Sequence, residues 1–274
     1  MWRKILLSIW LCGVAAAHAD VLNDTANGPH PAEPMPARLV LAGITLRHYP
    51  PSGQPPTEEI TVARGAQHLL WFGDQHFELN YQVDSAGPLV ILTSWTGGAH
   101  CCFTLHVLSL APGVRQQAIG VEDNDEVGFI DQKDAPPLLQ FGDFNFAYWH
   151  AAFVDSPAPR VILRWDPAAR HYAADFAAMR ANTPKPAEPK GEIGPALWGG
   201  MLDLIYAGQA PAARQLLDHA WPQGHKGKER FLACFTKQLR SGKLWRQFGL
   251  GHGLEADAAF PPLPVSARTC RADW

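Results

Sequence analysis

Between residues 38 and 175, apolar residues recur at alternate positions in short runs broken by Gly and Pro, the period of half-buried β-strands. Residues 39–46 predict one strand or two short ones, and Pro50-Pro51-Ser52-Gly53 predicts a turn. Residues 59–63 alternate polar and apolar. Residues 68–72 and 76–83 predict a hairpin around Gly73-Asp74. Residues 88–95 and 101–110 predict a second hairpin across Thr96-Gly97-Gly98. Further strands are expected at 115–121, 137–141, 146–154 and 160–165, with a short helix at 174–180. Many short strands at close spacing predict an all-β region.

Past a Pro-rich stretch the period changes from 2 to 3.6. Leu197, Met201, Leu204 and Ile205 share one helical face, and Gly208 ends that helix. Pro211 suits the first turn of the next helix, whose stripe is Ala213, Leu216, Leu217 and Ala220. Residues 228–248 predict a third helix with Phe231, Cys234 and Phe235 inward and a break at Ser241-Gly242. The expected class is therefore α+β: an N-terminal all-β domain, partial propeller-like or sandwich, followed by a small helical domain. The divisions are a leader at 1–19, a lead-in at 20–37, the β domain at 38–180, a Pro-rich linker at 181–195, helices at 196–250 and a tail at 251–274.

The leader changes the setting. Met1-Trp2-Arg3-Lys4 is a basic start, residues 5–17 are apolar but too short to span a bilayer, and Ala17-His18-Ala19 is a cleavage pattern. Export to a periplasmic or extracellular space, with cleavage near Ala19, is expected. Lipidation at Cys12 is the rival, which the bulky Trp10 and Leu11 fit poorly. No later apolar run reaches about 20 residues, so no membrane span is expected. The net charge of −3 becomes −5 without Arg3 and Lys4, which argues against a nucleic-acid partner. Oligomeric state is left open.

Export also changes the chemistry of the remaining cysteines, Cys101, Cys102, Cys234 and Cys270. An even number in an oxidising compartment favours disulfides. Two of them are adjacent, in Gly97-Gly98-Ala99-His100-Cys101-Cys102. Alternation places Cys101 on the apolar face with Phe103 and Leu105, and His100, Cys102, Thr104 and His106 on the other. Three arrangements compete. Cys101 and Cys102 could each bridge to Cys234 and Cys270. A vicinal Cys101–Cys102 bridge could accompany a Cys234–Cys270 bridge; it needs a distorted backbone, which the Gly-Gly turn can supply. Or His100 and Cys102 could hold copper or zinc. His106 lies roughly 13 Å along the strand from Cys102 and cannot join that metal.

The same motif, followed by alternating apolar residues, resembles a set of exported bacterial proteins whose β domain is similar to FG-GAP or VCBS repeats. The resemblance spans about residues 75–172. It implies blade-like units and calcium loops in which carboxylates alternate along the loop. Here the pattern has decayed. Asp131-Gln132-Lys133-Asp134 places a lysine where a carboxylate is needed, and Asp84-Ser85-Ala86-Gly87 has a single acid. The Pro-Leu-apolar runs at Pro88 and Pro137 form a weak internal repeat. The denser acidic run Glu122, Asp123, Asp125 and Glu126 is either a solvated loop or a surface calcium site. Trp198, Leu202, Tyr206, Gly208 and Ala212 resemble a tetratricopeptide-type helix pair, read either as a cap on the β domain or as a protein-binding surface.

No nucleophile elbow, zinc-protease or phosphate-loop motif is present. Phe144, Phe146, Tyr148 and Trp149 form an aromatic strip that suits a glycan or peptide, or the core. The expected function is an exported, non-catalytic protein that binds an envelope protein or glycan. The alternatives are a metal or redox protein built on His100 and Cys102, and an envelope-glycan enzyme working through a carboxylate pair.

Overall fold

A computed structural model describes residues 33–83, 87–98, 101–122, 127–184, 193–252, 256–263 and 270, apart from the side chains of 33, 34, 81–83, 101 and 122. A mostly-β part is followed by helices. Three antiparallel sheets follow one another along the chain, each a four-stranded meander. The first holds β2 (Arg38–Leu41), β3 (Ile44–Ser52), β4 (Thr57–Arg64) and β5 (Gln67–Asp74). The second holds β6 (His76–Val83), β7 (Leu89–Gly98), β8 (Cys101–Ser109) and β9 (Arg115–Glu122), with the two-residue β1 (Glu33–Pro34) on its β6 edge. The third holds β10 (Gly128–Gln132), β11 (Ala135–Gly142), β12 (Arg160–Asp166) and β13 (His171–Ala174). These sheets do not close into a propeller.

The second sheet is covered on both faces. Leu89, Ile91, Leu105, Val107, Ile119 and Val121 join a large core with the third sheet and the helices. Val90, Leu92, Leu108 and Leu110 face the first sheet, packing with Ile44, Leu46, Ile60, Val62, Phe72 and Phe77. β7 is therefore buried without a break from Leu89 to Ser94. This double covering explains its continuous apolar run, since a strand with no wet face has no polar phase. Full burial of each such side chain contributes about 1.5–3 kcal/mol.

The helices are α1 (Phe176–Ala181), α2 (Pro195–Tyr206), α3 (Ala210–Ala220), α4 (Lys228–Ser241), α5 (Lys243–Gln247) and α6 (Ala256–Ala259). Pro sits in the first turn of both α2 and α3, where its missing N–H costs nothing. The break between α4 and α5 falls at Gly242. Most of α2 is buried, so the α2–α3 pair packs as a cap over the third sheet. Cys234 is buried on α4 and bonded to Cys270, which pins the tail to that helix. No helix of the described residues is long and apolar enough to cross a membrane.

Two strand expectations are corrected. Residues 68–72 and 76–83 do not form a hairpin: β5 pairs with β4, β6 pairs with β7, and the chain changes sheet at Gln75. The turn lies at a corner because Phe72 and Phe77 both enter the layer between the two sheets. Residues 146–154 are not a strand either. Two 3-10 turns, Phe144–Phe146 and Phe153–Asp155, flank Tyr148 and His150, whose φ values of +58° and +55° break any extended run. The strands β10 and β13 were not expected. Most of the Pro-rich linker, at 185–192, lies outside the described residues.

Candidate functional site

The cysteine hairpin comes first because the sequence singled it out. The β7–β8 register jumps between Trp95↔Phe103 and Gly98↔Cys101, so Thr96 and Gly97 together face Cys102. This is a bulge. Gly97 has φ +88°, which favours glycine, and a Cβ there would also have to displace the end of the Gln75 side chain, 1.8 Å away. The Trp95 indole N–H donates to Gly98 O at 3.1 Å, and the Cys102 N–H donates to Thr96 Oγ1 at 3.0 Å. Cys102 is disulfide-bonded. Cys234 and Cys270 are bonded to one another, so the arrangement with both hairpin cysteines stapled to Cys234 and Cys270 is excluded. A sulfur in a disulfide has no thiolate to offer copper or zinc. His100 lies outside the described residues, as does the side chain of Cys101.

His106 is turned away from this end of the strand. It lies between the first two sheets, with its ring 4.8 Å from that of Phe72. Its Nε2 pairs with Ser94 Oγ at 2.9 Å and its Nδ1 with Gln116 Nε2 at 3.3 Å. Burial holds its pKa below the usual histidine value against the opposing charge of Asp74. The spacing to Ser94 is that of a nucleophile and base, but Ser94 is 1% exposed and no substrate carbonyl can reach it.

Glu58 was missed. It is 7% exposed on β4 and points into the same layer. Its Oε2 accepts from His48 Nε2 at 3.1 Å on β3 and from the Phe77 N–H at 2.9 Å on β6; its Oε1 accepts from His76 Nδ1 at 3.1 Å. Burial pushes this carboxyl up, but the bonds from His76, Phe77 and His48 outweigh it and the pKa lies below the usual value. The signal was in the alternation: Glu58 shares its phase with Ile60 and Val62, and His48 with Ile44 and Leu46.

Further buried and half-buried polar groups make joints of the same kind. The Gln117 side chain on β9 pairs with the Tyr172 backbone on β13 as a strand would, at 2.9 and 2.7 Å. The Arg170 guanidinium donates to Ser109 Oγ, Ser109 O, Pro112 O and Gly113 O, tying the third sheet to the β8–β9 turn. At the seam with the helices, Asp143 Oδ2 accepts from the Tyr206 hydroxyl at 2.6 Å, and Oδ1 from the Asn145 N–H at 2.9 Å. The Asn145 side chain donates to Gln238 O at 2.7 Å, satisfying a carbonyl at the end of α4.

A slot of about 130 Å³ opens at this seam, lined by Gly120, Val121, Asp143, Phe144, Asn145, Ser241 and Lys243 among others. It is smaller than the roughly 300 Å³ at which small-molecule pockets begin, so it suits one side chain or functional group of a larger partner. The aromatic strip divides here. Phe146 and Trp149 turn into the core, against Phe235 and Trp198. Phe144, at the rim of the slot, stacks on Phe153, and Tyr148 packs on the other side of that contact. Tyr148 is 63% exposed and the neighbouring Val154 87%.

The calcium expectations fare unevenly. Asp131 lies within β10, and Lys133-Asp134 is a two-residue turn between paired Gln132 and Ala135, too short to wrap a cation. The run Glu122, Asp123, Asp125 and Glu126 falls outside the described residues, as does Asp84, except for the Glu122 backbone at the end of β9. Comparison with family models, curated proteins and solved structures finds no match to this chain.

Proposed function

We propose that the chain is an exported, non-catalytic binding protein that grips an envelope partner at the seam slot. The observation that carries this reading is the slot itself. A small recess of mixed polar and apolar lining has Phe144 at its rim, and the Phe144–Phe153 stack leads from it to the exposed Tyr148 and Val154, the anatomy of a pocket that takes an anchoring side chain within a wider apolar contact. The convergent polar groups elsewhere support it. Glu58, His106 and Asp143 spend their hydrogen bonds on their own chain, bracing one sheet or helix against the next.

Within this reading the disulfide partner of Cys102 is Cys101. Cys234 and Cys270 are taken, and the bulge opposite Cys102 supplies the distortion that a vicinal bridge requires. The pair is then a clamp on the hairpin end and not a metal or redox centre. Oxidised cysteines and the basic-apolar leader together support export.

The test is site-specific photocrosslinking in intact cells, with the crosslinker at Tyr148 or, as a control, at the exposed Gln215 on α3. A defined adduct is expected from Tyr148 alone, and Gly120→Val should abolish it. Gly120 lines the slot, and a Cβ there meets nothing within 4 Å, so a side chain can be added at the slot wall without shifting a neighbour. Equal adducts from both positions, or adducts indifferent to Gly120→Val, would sink the reading.

A further inference from the structure

The outer face of the first sheet carries a feature that neither the joints nor the slot uses. Trp71, on the edge strand β5, is 61% exposed. Its indole lies across Gly73, where a Cβ would meet ring carbons at 2.9 and 3.0 Å. Its N–H donates to Glu59 Oε2 at 3.3 Å. The ring is thus held flat on the sheet by a missing side chain below and a carboxylate at its edge.

The register organises the rest of the face. Gly73, Glu59 and Tyr49 stand side by side across β5, β4 and β3, and Trp71, Thr61, Arg47 and Arg38 form the neighbouring row across all four strands. With strands about 4.8 Å apart, Tyr49 lies roughly 10 Å from the glycine that Trp71 covers. Tyr49 is 44% exposed. Arg38 and Arg47 are exposed and directly opposite each other, and neither makes an ion pair or hydrogen bond among the described residues. Like charges opposed on adjacent strands cost stability, and among the described residues no carboxylate pairs with either guanidinium to offset that cost. An anion held between the two guanidinium forks would.

We propose that this face binds an acidic polysaccharide. One pyranose ring stacks its C–H face on the Trp71 indole, and Tyr49 receives a ring further along the chain. Hydroxyls bond to Glu59 and Thr61, and the anionic substituent sits on the Arg38–Arg47 pair. A ring already fixed by Gly73 and Glu59 loses little freedom on binding, which favours affinity. The anion is either a uronate carboxylate or a sulfate or phosphate ester on the sugar; each offers a guanidinium fork a pair of charged oxygens that accept two N–H bonds.

The test is calorimetric titration of the full chain with oligogalacturonate, a sulfated oligosaccharide, a neutral cello-oligosaccharide of equal length, and a single-stranded DNA oligomer. The acidic sugars should bind, more weakly as salt rises, with the neutral sugar about tenfold weaker or worse. Preference between carboxylated and sulfated sugar assigns the anion. Trp71→Ala and Gly73→Val should each weaken binding about tenfold, the first by removing the indole and the second by pushing it off the sheet. Both sites are on the surface, and unchanged melting and circular dichroism establish that the variants fold. Arg38→Gln with Arg47→Gln should remove the salt dependence. Gly120→Val should bind sugar normally, which separates this face from the slot. No binding of either acidic sugar at millimolar concentration, wild-type affinity in Trp71→Ala, or tighter binding of DNA than of any sugar would overturn the proposal.

Discussion

The Tyr206 hydroxyl on α2 donates to Asp143 Oδ2 at 2.6 Å, a buried bond from the helical part to the loop after β11. Burial and the facing Asp143 carboxylate push the Tyr206 pKa well above its usual value. A raised acid is protonated in the fold, so its contribution is complete below the unfolded pKa near 10 and is lost as pH rises through the folded one. Tyr206→Phe leaves the buried carboxylate one donor short and should cost about 1.5–3 kcal/mol in denaturant melts at neutral pH. It should also remove the part of the alkaline destabilisation that begins near pH 10.

Glu58 works at the other end of the pH scale. Its folded pKa is depressed, so its stabilisation is complete above the unfolded value of 4.5 and is lost as pH falls through the folded value. Wild-type melting temperatures should drop across that acid window. Glu58→Gln should start lower by about 1–3 kcal/mol at neutral pH and show a flatter acid limb. An unchanged acid limb in the variant would exclude Glu58 as its source.

His106 adds an earlier step in the same direction. Burial lowers its pKa, so the neutral imidazole is favoured in the fold and stability falls as pH drops below 6.5 toward the folded value. An NMR titration should find the His106 ring neutral at pH values where an exposed histidine is already charged. His106→Gln should reduce the loss between pH 6.5 and the acid window of Glu58, the remainder coming from His150, whose pKa burial also lowers.

How much of this was legible depended on which rule the residues obeyed. Alternation carried β4 and the β7–β8 hairpin, because their polar and apolar phases match a wet and a dry face or a fully covered sheet. It also carried the helices, whose stop, start and break signals at Gly208, Pro211 and Gly242 act locally. The β5–β6 corner was not legible: a strand ending in Gly73-Asp74 looks the same whether its successor pairs with it or starts a new sheet. The strand expected at 146–154 failed because aromatic spacing carries no sign of φ, and Tyr148 and His150 are left-handed. Glu58 and His48 were legible in principle, as polar residues in an apolar phase. The Trp71–Gly73 contact was not, since it needs the register and the rotamer together.

The Cys234–Cys270 bridge closes a loop of 36 residues. The chain-entropy relation assigns such a loop about 4 kcal/mol. Cys234→Ala with Cys270→Ala should lower denaturant stability by an amount of that order, while the Tyr148 adduct and sugar binding persist, because neither surface touches this bridge.

The central claim is that the sulfur and buried polar groups of this protein brace a binding scaffold and perform no chemistry. Non-reducing peptide mapping with metal analysis, on protein isolated from the exported compartment, tests it most directly. The account predicts two bridges, Cys101–Cys102 and Cys234–Cys270, with no free thiol and no stoichiometric copper or zinc. A free thiol at Cys102, or one equivalent of either metal lost on His100→Ala, would contradict it.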